Sequence, residues 1–198
     1  MFHQIPNEVQ ERMKYLEAVD ARDRVDGTPH RERLRQIPPE TGRYIAMMAA
    51  SAQPGQVLEI GASAGYSSMW LALACRQRGD RLVTFELLED KARLAEETFA
   101  AAGLADEITL VCGDALHHLP DYHETAFCFL DAEKDVYQDC YDLVVPNLVD
   151  GGMLIADNMI SHADDLQPFL DTAQADPRLD AVVVPVGKGL LFCRKGTN

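Results

Sequence analysis

The sequence predicts an α/β sandwich: a seven-stranded, mostly parallel sheet that ends in a C-terminal antiparallel hairpin and is preceded by two extra helices. Three observations carry this. From Gln56 onward, strand-forming apolar runs alternate with runs of helical periodicity, the pattern of repeated strand–helix units. The runs Phe127–Leu130 and Leu154–Ala156 are apolar on both faces, as strands buried between two helical layers are. The last two strands, Ala181–Val186 and Leu190–Arg194, are joined only by Gly187-Lys188-Gly189. Three residues cannot hold a helical crossover, so this pair must be antiparallel.

Taken in order, residues 7–20 carry Val9, Met13, Leu16 and Val19 at helical spacing, with Asn7 as the expected N-cap. Asp26-Gly27-Thr28-Pro29 is a break and Pro38-Pro39 another; Glu40–Ala52 then forms a second helix, closed by Pro54-Gly55. These two helices have no place in a minimal sheet and should pack on it, over it or against a partner chain. Strands are expected near 56–60, 81–86, 107–111, 125–130, 151–156, 181–186 and 190–194. Helices are expected near 66–78, 90–102, 135–146 and 163–175, with a short turn around 115–119.

The chain reads as one domain over 1–198, with helices in 1–55 and the α/β core in 56–198. A hydrophobic content of 47% with 25% charged residues is that of a soluble globular protein. No apolar run approaches the ~20 residues of a membrane span. The opening MFHQIPNEVQERMK has no signal-peptide core, so a cytoplasmic location is expected. The net charge of −14 opposes nucleic acid as a substrate. Arg22, Arg24, Arg31, Arg33 and Arg35 cluster, but Asp20, Asp23, Asp26 and Glu32 are mixed among them, which reads as a solvated face. Five cysteines form no C-x-x-C pair; Cys112, Cys128 and Cys193 read as buried small hydrophobes, and no zinc site is expected.

The stretch QVLEIGASAGY, Gln56–Tyr66, is a strand, a tight turn and a helix start. A dinucleotide-binding G-x-G-x-x-G turn would need glycine where Ser63 and Tyr66 stand. The spacing E-x-G-x-x-x-G fits instead, through Glu59, Gly61 and Gly65, and is the S-adenosylmethionine (SAM) pattern of class I methyltransferases. A sheet ending in one reversed hairpin strand agrees with that topology. Glu86 closes the second strand, where a carboxylate can accept hydrogen bonds from both ribose hydroxyls of an adenosine. Gly113-Asp114-Ala115 would flank the adenine ring, and Ser67 could cap its helix or touch a ligand carboxylate. The fourth strand ends in Asp131-Ala132-Glu133-Lys134 and the fifth in Asp157-Asn158. In a parallel sheet these ends share one edge, so Asp131, Asp157 and Asn158 offer three oxygen ligands to a hard cation such as Mg²⁺, Ca²⁺ or Mn²⁺. The alternative is an ordinary set of loop-capping side chains.

Together, VLEIGASAGYSS, FE, GDA, FLDAEKDVY, GGMLIADN and GKGLLFCRK resemble the cation-dependent O-methyltransferases, the group of the catechol and caffeoyl-CoA enzymes, from about Pro39 to Lys195. The resemblance implies a Rossmann-like class I domain, SAM as methyl donor and a divalent metal, Mg²⁺ foremost, on Asp131, Asp157 and Asn158. It places Glu59, Gly61, Ala62, Ser67, Glu86, Asp114, Ala115, Asp131 and Glu133 at SAM, with Asp131 also facing the substrate. Lys134 stands where catechol-type members carry a lysine, as a base or as a charge partner of Asp131. The implied reaction is methylation of one hydroxyl of a small catechol-like phenol, by a homodimer. An amine or carrier-bound acceptor, or a SAM-binding module without catalysis, are the competing readings. The segment MISHADDLQPF lacks the long insertion of plant caffeoyl-CoA enzymes, so a CoA thioester is not expected. His162 reads as a surface residue, and His117 and His118 as structural or exposed.

Overall fold

In the computed structural model, which describes residue 2 and residues 4–197, the strands line up in the order β3-β2-β1-β4-β5-β7-β6. They are β1 (Gln56–Ile60), β2 (Leu82–Glu86), β3 (Ile108–Cys112), β4 (Thr125–Leu130), β5 (Leu148–Ala156), β6 (Leu179–Val184) and β7 (Leu190–Lys195). The first five run parallel, and β7 lies antiparallel between β5 and β6. The expected fold class is therefore the observed one. Strand order reverses between β1 and β4, which opens a crevice outside their carboxyl ends. The ladder pairs Ile60 with both Phe85 and Leu130, and Leu130 with Ala156, so those ends are level along one edge.

Among the described residues, seven α-helices complete the sandwich: α1 (Asn7–Asp23), α2 (Pro39–Ala50), α3 (Tyr66–Arg78), α4 (Glu89–Ala101), α5 (Ala115–His118), α6 (Tyr137–Val144) and α7 (Ala163–Ala175). Strand alternation sorts the core. Val57, Phe127, Phe129 and Ile155 meet the side of α1–α4, while Leu58, Ile60, Cys128, Leu130 and Leu154 meet that of α6 and α7. Glu59 shares the parity of Val57, which puts a carboxylate inside the first of these cores.

The two leading helices pack on the sheet's own helices. Val9, Met13 and Leu16 of α1 are buried, and Arg12 and Glu17 tie it to Thr98 of α4 and Tyr66 of α3. On α2, Gly42 lies so close to Trp70 that a Cβ there would stand 2.3 Å from its indole ring. The apolar stripes are thus covered within the chain.

Several local expectations are corrected. Pro6, not Asn7, occupies the cap of α1, without a side-chain cap; Asn7 is its first residue. Cys128 and Cys193 are buried, but Cys112 is exposed because it ends the edge strand β3. β5 begins at Leu148, before the Gly151-Gly152 pair that reads as its start, since Leu148 pairs with Thr125 across a bulge. β6 sits two residues earlier than expected, leaving residues 185–189 as the hairpin connection. A 3-10 turn over Lys134–Val136 precedes α6.

Candidate active site

Gly61 has φ +102°, and a Cβ there would fall 2.2 Å from the carbonyl oxygen of Asp131. Only glycine lets the end of β1 pass that close to the end of β4. The N–H groups of Gly61 and Ala62 donate to the Phe85 carbonyl, at 2.9 and 3.1 Å, which folds the turn back toward β2. Glu86 ends β2 buried, its carboxylate accepting the N–H groups of Ser63 (2.7 Å) and Leu88 (2.9 Å). Gly113 donates to the Glu86 carbonyl at 2.9 Å, so the Gly113–Ala115 segment is its neighbour. Asp114 caps α5 by accepting from Leu116 N–H at 3.0 Å. Gly65 holds the cap position of α3, so Ser67 lies inside the first turn and does not cap it. Unpaired N–H groups of that turn suit a ligand carboxylate.

Glu59 lies fully buried beneath this turn. One of its oxygens accepts from the hydroxyls of Ser68 and Thr84, and the other, Oε1, has no partner. Burial pushes its carboxyl up to about 7. A buried, unpartnered carboxylate oxygen beside the turn is a fitting acceptor for a cofactor's donor groups.

Along the same edge, Asp131 N–H donates to Ile60 O at 2.9 Å and Asp157 N–H to Leu130 O at 3.0 Å, extending the ladder. Asn158 adopts φ +72° and its Nδ2 donates to Asp131 Oδ1 at 2.7 Å. Asp157 is completely buried, and neither of its carboxylate oxygens has a partner. Burial, and then the charge of Asp131, push it up to about 7. Two orphaned anionic oxygens next to a second carboxylate and a side-chain amide suit a hard cation. Among the described residues no group of three His, Cys, Asp or Glu side chains is placed to hold a metal, so the candidate set is two carboxylates with one amide. Lys134 Nζ sits 3.6 Å from Asp131 Oδ1 and donates to Ala132 O (2.8 Å) and Tyr137 Oη (2.9 Å). Burial lowers its pKa, against the pull of Asp131 and Asp157.

With this geometry in view, the family profile described as O-methyltransferase matches residues 24–196. The chain belongs to that family. A catechol O-methyltransferase of Niastella koreensis is 30% identical over 63% of this chain, a match spanning 58% of that protein. One of Mycobacterium tuberculosis is 30% identical over 73% of this chain and 71% of its own. The caffeoyl-CoA O-methyltransferase of Petroselinum crispum is 27% identical over 93% of this chain and 84% of its own. Among solved structures, an SAH-bound Podospora anserina methyltransferase superposes with a TM-score of 0.81 at 21% identity, over 98% of this chain and 89% of that one. The enzyme class expected from the sequence, a SAM-dependent O-methyltransferase, goes with that membership.

Several residues of this O-methyltransferase's site were not legible beforehand. Residues 24–38 form a strap across the glycine turn. Ser63 Oγ donates to Leu34 O at 2.9 Å, and Lys91 Nζ to the carbonyls of Glu32 and Arg33 at 2.8 and 2.7 Å. Asp23 and Asp20 of α1 accept from the N–H groups of Leu34 and Gln36. Arg35, read as part of a solvated face, pairs with Glu133 at 2.6 Å and holds that carboxyl below its usual range. Glu133 therefore stands at the rim with its side chain engaged. Tyr137 is the second unforeseen residue: it receives Lys134 and donates to Asp157 O at 3.2 Å. A tyrosine three places after a lysine at a helix start was the available signal. His162 is exposed at the start of α7. His117 is exposed, and His118 stacks on Phe85 with ring centroids 6.3 Å apart.

Proposed function

We propose that this O-methyltransferase moves the methyl group of SAM to one hydroxyl of a small catechol-like acceptor, with a divalent cation, Mg²⁺ foremost, on Asp131, Asp157 and Asn158. The observation that carries the proposal is the Asp157 carboxylate, buried and unpartnered beside Asp131. Without a counter-charge such a pair costs several kcal/mol of desolvation and repulsion, and the sheet ladder holds it in place regardless. Relatives named for catechol and caffeoyl-CoA support the acceptor class, and the short connection from Asn158 to α7 favours the smaller of the two.

SAM, when bound, supplies an electrophilic methyl on a sulfonium. A cation held by Asp131, Asp157 and Asn158 would make the acceptor's hydroxyls more acidic. The chain's own part is alignment and proton transfer. Glu86, fixed by two backbone N–H groups, accepts from the ribose; Gly61 lets β1 and β4 end side by side; Ser63 anchors the strap over the turn. Lys134 takes the acceptor's proton on Nζ: burial favours its neutral form, and Ala132 O and Tyr137 Oη hold it near Asp131. Such alignment is worth up to roughly 7–11 kcal/mol in intramolecular reactions.

Turnover of catechol with SAM and Mg²⁺, with and without EDTA, tests this. Activity should vanish in EDTA, vicinal diols should react far faster than monophenols, and Asp157→Ala should still bind S-adenosylhomocysteine (SAH) in calorimetry while losing turnover. Full activity in excess EDTA, or equal rates on mono- and dihydroxy acceptors, refutes the metal role. A homodimer, which the family resemblance implies, belongs to the same proposal; light scattering at micromolar concentration tests it. A cytoplasmic setting is supported by five free thiols. Among the described residues no helix is long and apolar enough to cross a membrane.

A further inference from the structure

Between β6 and β7, Lys188 stands at a hairpin tip that is wedged rather than free. Its carbonyl accepts the N–H groups of Ile160 (3.0 Å) and Ser161 (3.1 Å), and Gly189 O accepts that of Met159 (2.9 Å). The tip is therefore stitched to the segment that follows Asn158. On either side the packing leaves no room for a side chain. A Cβ on Gly187 would meet Thr41 Oγ1 at 2.1 Å, and one on Gly189 would meet Ile160 Cγ1 at 2.4 Å. Both glycines also have positive φ, at +57° and +88°. The backbone of the lysine between them is thus held in one place, beside the segment that follows Asn158, and its side chain is half-buried. Its charge lies within coulombic reach of Asp157 and of Lys134.

The other cations around the site are committed. Arg24 is bound to Asp20, Arg35 to Glu133, Lys91 to two carbonyls, and Lys134 to Ala132 O and Tyr137. Among the described residues, the Lys188 ammonium makes no hydrogen bond or ion pair. With a divalent cation offsetting the two carboxylates, the Lys188 ammonium would be an uncommitted positive charge beside the candidate ligands, in a chain whose net charge is −14. We infer that Lys188 is a specificity-determining residue that selects vicinal diols carrying a carboxylate on the ring or its side chain. A compact ammonium asks only for a nearby negative charge, not a planar fork, which suits a carboxylate at variable reach. The inference rests on the diol reading above and adds the charge of the acceptor to it.

The test compares three diols on one ring system: 3,4-dihydroxybenzoate, catechol and 3,4-dihydroxybenzylamine, with saturating SAM and Mg²⁺. Wild type should favour the benzoate over the amine by about tenfold or more in kcat/KM, mainly through KM, as a charged hydrogen bond implies. Lys188→Gln should shrink that ratio to near unity, and Lys188→Glu should invert it in favour of the amine. Calorimetry of the benzoate on the SAH- and Mg²⁺-loaded enzyme should lose affinity in the same order, while SAH affinity itself certifies folded protein. If both variants change all three acceptors by one common factor, Lys188 only screens the carboxylates and the inference is overturned. Turnover with no charge preference in wild type overturns it as well. If none of the diols is methylated, the underlying reading of the acceptor fails and takes this inference with it.

Discussion

Glu59→Gln should flatten the pH dependence of this protein's stability. In the folded chain the Glu59 carboxyl keeps its proton up to about pH 7, because burial opposes its charge; unfolded, it releases it near the ordinary 4.5. The folded state therefore holds the extra proton between those values, and stability falls as pH rises across that window, with nothing further lost above it. At about 1.4 kcal/mol per unit, this amounts to roughly 3 kcal/mol. Glutamine keeps the shape and an oxygen to accept from Ser68 and Thr84, but cannot ionise. Asp157 adds a slope of the same sign, so the informative quantity is variant minus wild type at each pH. Urea unfolding in EDTA without SAM, from pH 5 to pH 8, should show the variant gaining about 2.5 kcal/mol on wild type over that range. A difference that stays constant with pH would refute the reasoning, because Glu59 would then be ionised throughout.

Glu86→Ala should weaken SAH binding by about 1–3 kcal/mol in calorimetry, since it removes the ribose acceptor and leaves the N–H groups of Ser63 and Leu88 unpaired; unchanged affinity removes Glu86 from the site. Gly61→Val should abolish SAH binding and lower the melting temperature, because its side chain would start 2.2 Å from the Asp131 carbonyl at φ +102°; retained tight binding would contradict the turn geometry. Tyr137→Phe removes an acceptor that stabilises the Lys134 ammonium, so the acidic limb of the pH–rate profile should move to lower pH. A limb that stays in place would exclude Lys134 from proton transfer.

The sequence alone determined the sandwich, its reversed last strand and the residues along the carboxyl edge of its parallel strands. Those are consequences of periodicity and of parallel topology. Once β1, β2, β4 and β5 run the same way, Glu59, Glu86, Asp131 and Asp157 must cluster at one end, whatever the details of packing. Boundaries were less legible where local chemistry misleads: β5 is expected to start at Gly151-Gly152 but begins at Leu148, and Asn7 looks like a cap but follows one. Tertiary structure decided what no local pattern encodes. The strap over 24–38 is held by side chains that reach distant backbone carbonyls and N–H groups, as Lys91 reaches Glu32 and Arg33, and such contacts leave no period in the sequence. Lys91 itself lies on α4 and is buried. Lys188 gains its position only because two glycines let the hairpin tip slot between Thr41 and Ile160. Nearby residues along a chain obey periodicity; contacts between distant ones are fixed by close packing, and that is settled only when the whole chain has folded.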